Sequence, residues 1–400
     1  MPSINNMASM ISELKGSYIT VHQERCLLVR NRNSDCLRCA EVCTSGCISY
    51  FDNELTVSPE KCIGCGTCAT ACPTCALEAH HPGDDALLNS CRKALAETGG
   101  LVCLACGQLL DRAKGLYDID KVVRVECLGR VEESLLTTMA AEGAERVVLV
   151  SGECESCDHA TGWGMAQRVC ETERVLLDAW GCDMKLRLAR KLPGSVRAAD
   201  AGYDKDKRAM LGETGRDVAQ LGAITAEYAV KDALGTEEEP VEHEHPVRYL
   251  KVMEDGTLPH FVPDRRERLL DALASLGEPA EGAISTRLWG RIEIDMDKCV
   301  SCRMCATFCP AGAIMKFDDP DDENVFGIEH YPGDCVKCRC CEAICPKGAI
   351  TVHDEVDAAS MLFGEVQHIY MKPLAVKRDD PHAIWHTMQP MFKTDQVYER

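Results

Sequence analysis

The chain is 400 residues long, carries 27 cysteines and has a formal net charge of −20. That length allows about two to four domains with cores of their own, so the fold need not depend on metal throughout. The acidity disfavours nucleic acid and anionic membrane surfaces, which would repel the chain at long range.

The segment from Met1 to Thr20 shows no basic stretch followed by an apolar run, and no run of about eighteen apolar residues occurs anywhere. The chain is therefore expected to be cytoplasmic, without membrane insertion. A reducing compartment keeps thiols available as ligands. Most of these cysteines fall in short, regular runs, unlike the scatter of a disulfide framework, and such spacing points to metal.

The first unit spans residues 17–83 and holds two runs: Cys36, Cys39, Cys43, Cys47, then Cys62, Cys65, Cys68, Cys72-Pro73. Alternating residues from Ile48 to Val57 around Asp52-Asn53 predict a small hairpin between the runs. From 100 to 190 apolar runs at Leu101 to Leu104, Val122 to Val125 and Val147 to Val150 alternate with helical stretches at Glu132 to Ala141 and Gly164 to Trp180. This predicts an α/β domain with a parallel sheet. Residues 192–285 are rich in charge, contain Glu237-Glu-Glu-Pro240 and Glu242-His-Glu-His-Pro246, and carry an amphipathic helix from Asp264 to Leu276; they read as a linker with helical pieces. Residues 286–356 hold the runs Cys299, Cys302, Cys305, Cys309-Pro310 and Cys335, Cys338, Cys341, Cys345-Pro346. The tail, 357–400, carries Met, His, Trp and Pro without metal spacing.

One hexapeptide closes each cysteine run: Cys43-Thr-Ser-Gly-Cys-Ile48, Cys72-Pro-Thr-Cys-Ala-Leu77, Cys309-Pro-Ala-Gly-Ala-Ile314 and Cys345-Pro-Lys-Gly-Ala-Ile350. It also sets the register of the irregular first run. Cys43 becomes the distal fourth cysteine, Cys39 and Cys36 the third and second, and the first position falls on Asn33, a poor ligand. Cys26 is the preferred replacement, with Cys47 as the competitor. Without either, the site would be a three-iron cluster or one with a non-cysteine ligand.

A 4Fe-4S cube needs four soft thiolates, three of which can come from one tight loop. The runs C-x2-C-x2-C-x3-C-P resemble those of two-cluster bacterial ferredoxins, in which the fourth cysteine of each run ligates the other cube. That resemblance implies Cys299, Cys302, Cys305 and Cys345 for one cluster, and Cys335, Cys338, Cys341 and Cys309 for its neighbour, with Cys340 spare. In the first module it implies Cys26, Cys36, Cys39 and Cys72, and Cys62, Cys65, Cys68 and Cys43. Zinc competes, but zinc sites rarely show the third close cysteine and the following proline. The expected fold is two α+β ferredoxin-like dicluster modules flanking the central α/β domain, with four 4Fe-4S clusters as cofactors.

Cys103, Cys106, Cys127, Cys154 and Cys157 lie at or near predicted strand ends, where an open α/β sheet builds its sites. Cys103-x2-Cys106, the stretch Val122 to Arg130 ending in Cys-x-Gly-Arg, and Val147-Val-Leu-Val-Ser-Gly152 followed by Cys154, Cys157, His159 and Gly162 resemble the delta subunit of methyl-viologen-reducing hydrogenase. The resemblance implies an electron adapter holding a 2Fe-2S cluster. Cys154-x2-Cys157 is spaced more closely than in that family, which leaves the ligand set open among a two-iron cluster, reduced half-buried thiols and zinc. Cys91, Cys170 and Cys182 read as packing residues, His80-His81 and His243/His245 as surface or loop residues, and no dinucleotide or phosphate-loop motif stands out.

The leading expectation is an electron-transfer subunit relaying single electrons between protein redox partners of an oxidoreductase or hydrogenase-type complex. The alternative is a heterodisulfide-reductase-like enzyme component acting on a disulfide. A zinc-stabilised scaffold is the third reading.

Overall fold

The computed structural model describes residues 18–198, 253, 257–280, 282–322, 324–363 and 366–372. The motifs 237–240 and 242–246, with His243 and His245, and the tail beyond 372 lie outside the described residues.

The first module runs β1 (Ile19–Val21), α1 (Leu27–Arg30), α2 (Arg38–Glu41), β2 (Ile48–Phe51), β3 (Glu54–Val57), α3 (Thr67–Ala71) and β4 (Leu77–Ala79). Its ends close on each other, β1 pairing antiparallel with β4 so that Ile19 faces Ala79. β2 and β3 form the expected hairpin. Asp52 and Asn53 take φ of 47° and 65°, the left-handed pair that a two-residue hairpin turn needs to match strand twist.

The central region runs α4 (Asp84–Thr98), β5 (Leu101–Cys106), α5 (Gly107–Arg112), β6 (Val122–Val125), α6 (Glu133–Ala141), β7 (Arg146–Val150), α7 (Thr161–Ala179) and β8 (Lys185–Ala189). The strands form one parallel sheet in the order β6-β5-β7-β8. Every residue of β5 is buried, as a strand covered on both faces must be, which explains its unbroken apolar run.

The remaining elements are α8 (Asp264–Leu276), β9 (Ala283–Ser285), β10 (Arg291–Ile294), α9 (Met304–Thr307), β11 (Ile314–Asp318), β12 (Phe326–His330), α10 (Cys340–Ile344), β13 (Ile350–His353), β14 (Glu355–Asp357), α11 (Ala358–Phe363) and β15 (Gln367–Tyr370). The plan of the first module recurs, with β10 closing on β13 and an inner antiparallel pair β11–β12, here extended by β15. No helix among the described residues is long and apolar enough to cross a membrane.

α8 does more than bridge. Its apolar residues recur at helical spacing, and Leu269 and Leu273 are buried with Trp180, Trp289 and Val356, so the helix is wedged between the central domain and the last module. Charge-rich composition hides such a face, because only one stripe of a helix needs to be apolar. A second core runs without a break from Ile19 and Leu55 of the first module to Val102, Leu149 and Met165 of the central domain.

Buried ion pairs hold the parts in register. Asp84, in the first turn of α4, accepts from Arg130 and from Arg265 Nε at 2.8 Å. Burial alone would raise its carboxyl, but Arg265 and Arg130 outweigh it and hold the group well below the usual carboxylate range. A depressed folded-state pKa stabilises fully above the unfolded value of about 3.9, and the contribution is lost as pH falls through the folded value. Asp84→Asn is expected to cost about 3 kcal/mol at pH 7, because Arg130 is left buried without its counter-charge; chemical denaturation monitored by circular dichroism measures it. Arg30, 3% exposed, ties the end modules together by donating to Pro259 O at 2.5 Å and Cys309 O at 3.3 Å.

Candidate metal centres

The three regular cysteine runs share a backbone trick. Gly64 and Gly66 take φ of 68° and 71°, Ser301 and Arg303 58° and 54°, and Lys337 and Arg339 48° and 63°. A left-handed residue before and after the second cysteine winds the chain so that backbone amides face inward, a nest suited to an anionic centre. For the four non-glycine residues this costs about 1–2 kcal/mol each. A short helix starts straight afterwards, placing Cys68 in α3, Cys305 in α9 and Cys341 in α10.

Cys299, Cys302, Cys305 and Cys345 line one cavity, and Cys309, Cys335, Cys338 and Cys341 line another, with Cys340 beside them. Cys43, Cys62, Cys65 and Cys68 line a third, with Cys47 beside them. Among the described residues, no three or more His, Cys, Asp or Glu side chains converge at the spacing of a single-ion site; these thiols stand around cavities. Between Cys36 and Cys43 the irregular run has no left-handed residue, and α2 begins within it. Cys26 arrives at the N-terminal end of α1. Burial pushes its thiol up to about 11, with Cys72 and Cys36 adding to the rise, and burial pushes Cys39 up to about 12, with Cys72, Cys26 and Cys36 adding. These four thiols are thus mutual neighbours. Cys47 is placed elsewhere, its Sγ 3.4 Å from that of Cys43. Although burial works against it, hydrogen bonds from Ser45 and Cys47 hold Cys43 below its ordinary value, whereas burial pushes Cys47 up to about 12.

The donor chemistry suits iron-sulfur clusters, which are held by thiolates and tuned by hydrogen bonds to sulfur. Backbone N–H groups donate to Cys72 Sγ from Ala76 (3.3 Å), to Cys345 Sγ from Ala349 (3.2 Å) and to Cys299 Sγ from Ser301 (3.5 Å). Cys75 stands outside the ligand spacing. It takes φ 49° where the other three hexapeptides place Gly46, Gly312 and Gly348, all at positive φ, and the hexapeptide alignment already carries that signal.

In the central domain Cys106, Cys127, Cys154 and Cys157 gather on one cavity with His159 and Trp163. Cys106 Sγ accepts from Gly152 N (3.2 Å), Cys127 Sγ from Gly129 N (3.4 Å) and Cys157 Sγ from His159 N (3.4 Å), the same device as in the end modules. Cys103 must be removed from this group. It and Cys106 lie three residues apart within β5, and the period of two turns them to opposite faces; Cys103 packs with Leu101, Ala105, Leu110 and Val148. Cys91 and Cys170 are fully buried in α4 and α7. His80 is exposed and bonded to Thr20 Oγ1 at 2.7 Å.

Neighbouring groups of thiols also feel one another. Cys65 acts on Cys127, Cys39 on Cys68, Cys36 on Cys340 and Cys305 on Cys341. Spatially, the groups therefore follow one file: the central cysteines, then those around Cys65, around Cys39, around Cys338 and around Cys302.

Comparison with known proteins agrees with this geometry. The family model of the 4Fe-4S dicluster domain matches residues 291–349, that of the 4Fe-4S binding domain 55–78, and that of the methyl-viologen-reducing hydrogenase delta subunit 114–193. The chain is 34% identical over 108 residues to archaeal glutamate synthase (NADPH) of Archaeoglobus fulgidus, covering 24% of this chain and 21% of that protein. It is 50% identical over 40 residues to electron transport protein HydN of Escherichia coli strain K12, 10% of this chain and 23% of that protein. Over another 40-residue match it is 40% identical to ferredoxin-1 of Caulobacter vibrioides, 10% of this chain and 35% of that protein. The chain thus spans about a third or less of the length of these relatives. It carries two ferredoxin-type 4Fe-4S domains, one towards each end, and between them a domain of the methyl-viologen-reducing hydrogenase delta-subunit family.

Proposed function

We propose that the chain is a cytoplasmic iron-sulfur subunit that relays single electrons between protein partners of a larger oxidoreductase complex. The observation that carries this is the series of thiol groups, four of them around cavities and one formed by Cys26, Cys36, Cys39 and Cys72, adjoining one another from Cys127 to Cys302. Matches to the hydrogenase delta subunit and to an electron transport protein support the same role.

In this proposal the end modules, 17–83 and 286–356, hold four 4Fe-4S clusters. One falls to Cys26, Cys36, Cys39 and Cys72, and one to Cys43, Cys62, Cys65 and Cys68. The others fall to Cys299, Cys302, Cys305 and Cys345, and to Cys309, Cys335, Cys338 and Cys341. Cys106, Cys127, Cys154 and Cys157 hold a fifth centre, of the 2Fe-2S kind that the delta-subunit resemblance implies. When bound, such centres supply one-electron oxidation and reduction. The chain's own contribution is to space the thiolates, to aim backbone N–H groups at sulfur and to bury the sites away from water.

Metal and acid-labile sulfide analysis of anaerobically purified protein, with electron paramagnetic resonance after dithionite reduction, tests it. About eighteen irons per chain with a two-iron signal are expected, or about sixteen if the central site holds none. Zinc with little sulfide would overturn the proposal.

A further inference from the structure

Apart from the thiol sites, a large cavity lies where all three parts meet. It has a volume of about 690 Å³, within the range of about 300–1,000 Å³ typical of ligand sites. In a chain of net charge −20 its walls are cationic: seven Arg and Lys side chains line it, against Glu41, Glu132 and Glu133. Two of these acids are already committed. Glu132 caps α6 by accepting from Ser134 N and Leu135 N, and Glu133 is clasped by Arg287 at 2.6 Å through both oxygens. Arg265 is taken by Asp84, and Lys337 and Arg339 by Asp354. Arg38, Arg168 and Arg266 have no ion pair among the described residues.

Three further observations point to an anionic occupant. First, the N-termini of α7 and α8, helices of 19 and 13 residues, open onto the cavity, and neither Ala160 nor Pro263 supplies a side-chain cap. Each brings the positive end of a helix dipole, with Gly162 N and Arg266 N already bonded to His159 O and Pro263 O. Second, two deeply buried wall residues are left with unsatisfied atoms. Arg266, 6% exposed and stacked over the Trp289 ring at 4.3 Å, uses Nη2 on Leu288 O (2.6 Å) and Cys335 O (3.4 Å) while Nη1 has no hydrogen-bond partner among the described residues; Thr70, 3% exposed, has none for Oγ1. Such groups are costly unless a ligand satisfies them. Third, Cys75, strained in the left-handed region, lies on this wall, and backbone strain of that kind collects at functional sites.

We infer that this cavity binds a small polyanion bearing phosphate groups. Arginine forks and two helix N-termini together suit phosphate oxygens, several acceptors to each group. The inference does not depend on the electron-transfer proposal, although Cys72 and Val336 on the wall set the occupant beside two of the proposed cluster loops.

The test is anaerobic isothermal titration calorimetry of the full holoprotein with pyrophosphate, and with citrate at matched ionic strength. Pyrophosphate is expected to bind more tightly than citrate. Arg168→Glu, an exposed change at the cavity, is expected to weaken pyrophosphate about tenfold or more, while Arg174→Glu, exposed on the same helix but off the cavity, leaves affinity within about twofold. Iron content of each variant confirms that it is folded and loaded. Absence of pyrophosphate binding, tighter binding of citrate, or equal effects of the two variants would each overturn the inference.

Discussion

Cys26→Ser is expected to remove about four irons per chain, while Cys47→Ser leaves iron and sulfide unchanged. The first run of cysteines is one short in its own register, and the position that should hold the missing thiol is Asn33, whose backbone N–H is bonded to Asn31 Oδ1 at 2.9 Å. Two thiols compete to fill the gap. Cys26 is buried beside Cys36, Cys39 and Cys72, whereas Cys47 sits against Cys43 on the cavity that Cys62, Cys65 and Cys68 also line. Serine is a harder and far less acidic ligand, so the change at Cys26 deprives a site of one of four soft donors. Iron analysis with electron paramagnetic resonance reads the result. Iron loss from the Cys47 variant alone would reverse the assignment.

Gly162→Ala is expected to lower stability and to strip about two irons from the central site while the cubane signals persist. A β-carbon at Gly162 would collide with Cys127 Sγ, and Gly129, equally confined, packs against Thr67 of α3. Gly162 lies in the first turn of α7, where helix propensity alone would make alanine better by about 1 kcal/mol. Overpacking costs about 1–3 kcal/mol and here falls on a proposed ligand, so the steric cost wins. Gly164→Ala is the control, since a β-carbon there meets nothing within 4 Å. A more stable Gly162→Ala protein with unchanged iron would exclude Cys127 from any metal centre.

Much of this molecule is legible in its cysteines because ligand geometry constrains spacing more tightly than helix or strand formation does. The parallel sheet was equally readable, since strands buried on both faces announce themselves as unbroken apolar runs such as Leu101 to Leu104. Linear spacing does not record where side chains meet in space. Cys103-x2-Cys106 looks like a ligand pair, but within a strand the two side chains diverge. Cys75 fills a glycine position without disturbing the run of ligands, so it drew no attention. The cationic cavity is assembled from residues scattered between Arg38 and Arg339; no local window contains it. The order of thiol groups in space differs from their order in the chain, because the central domain docks at one end of the file.

The apolar core that passes unbroken from the first module into the central domain has a consequence for how the protein comes apart. Elements that share a core melt together as one cooperative unit, whereas the last module adds a core of its own around Ile292, Ile314, Ile328 and Val352 and joins the central domain through the smaller cluster of Trp180, Leu273, Trp289 and Val356, the seam at which it can open first. Hydrogen exchange should then divide the chain into two protection classes, with amides of β1 and β5 in one and those of β10 and β12 in the other. Damage to the last module would cut the file at Arg30 and leave a shorter, still folded wire behind it.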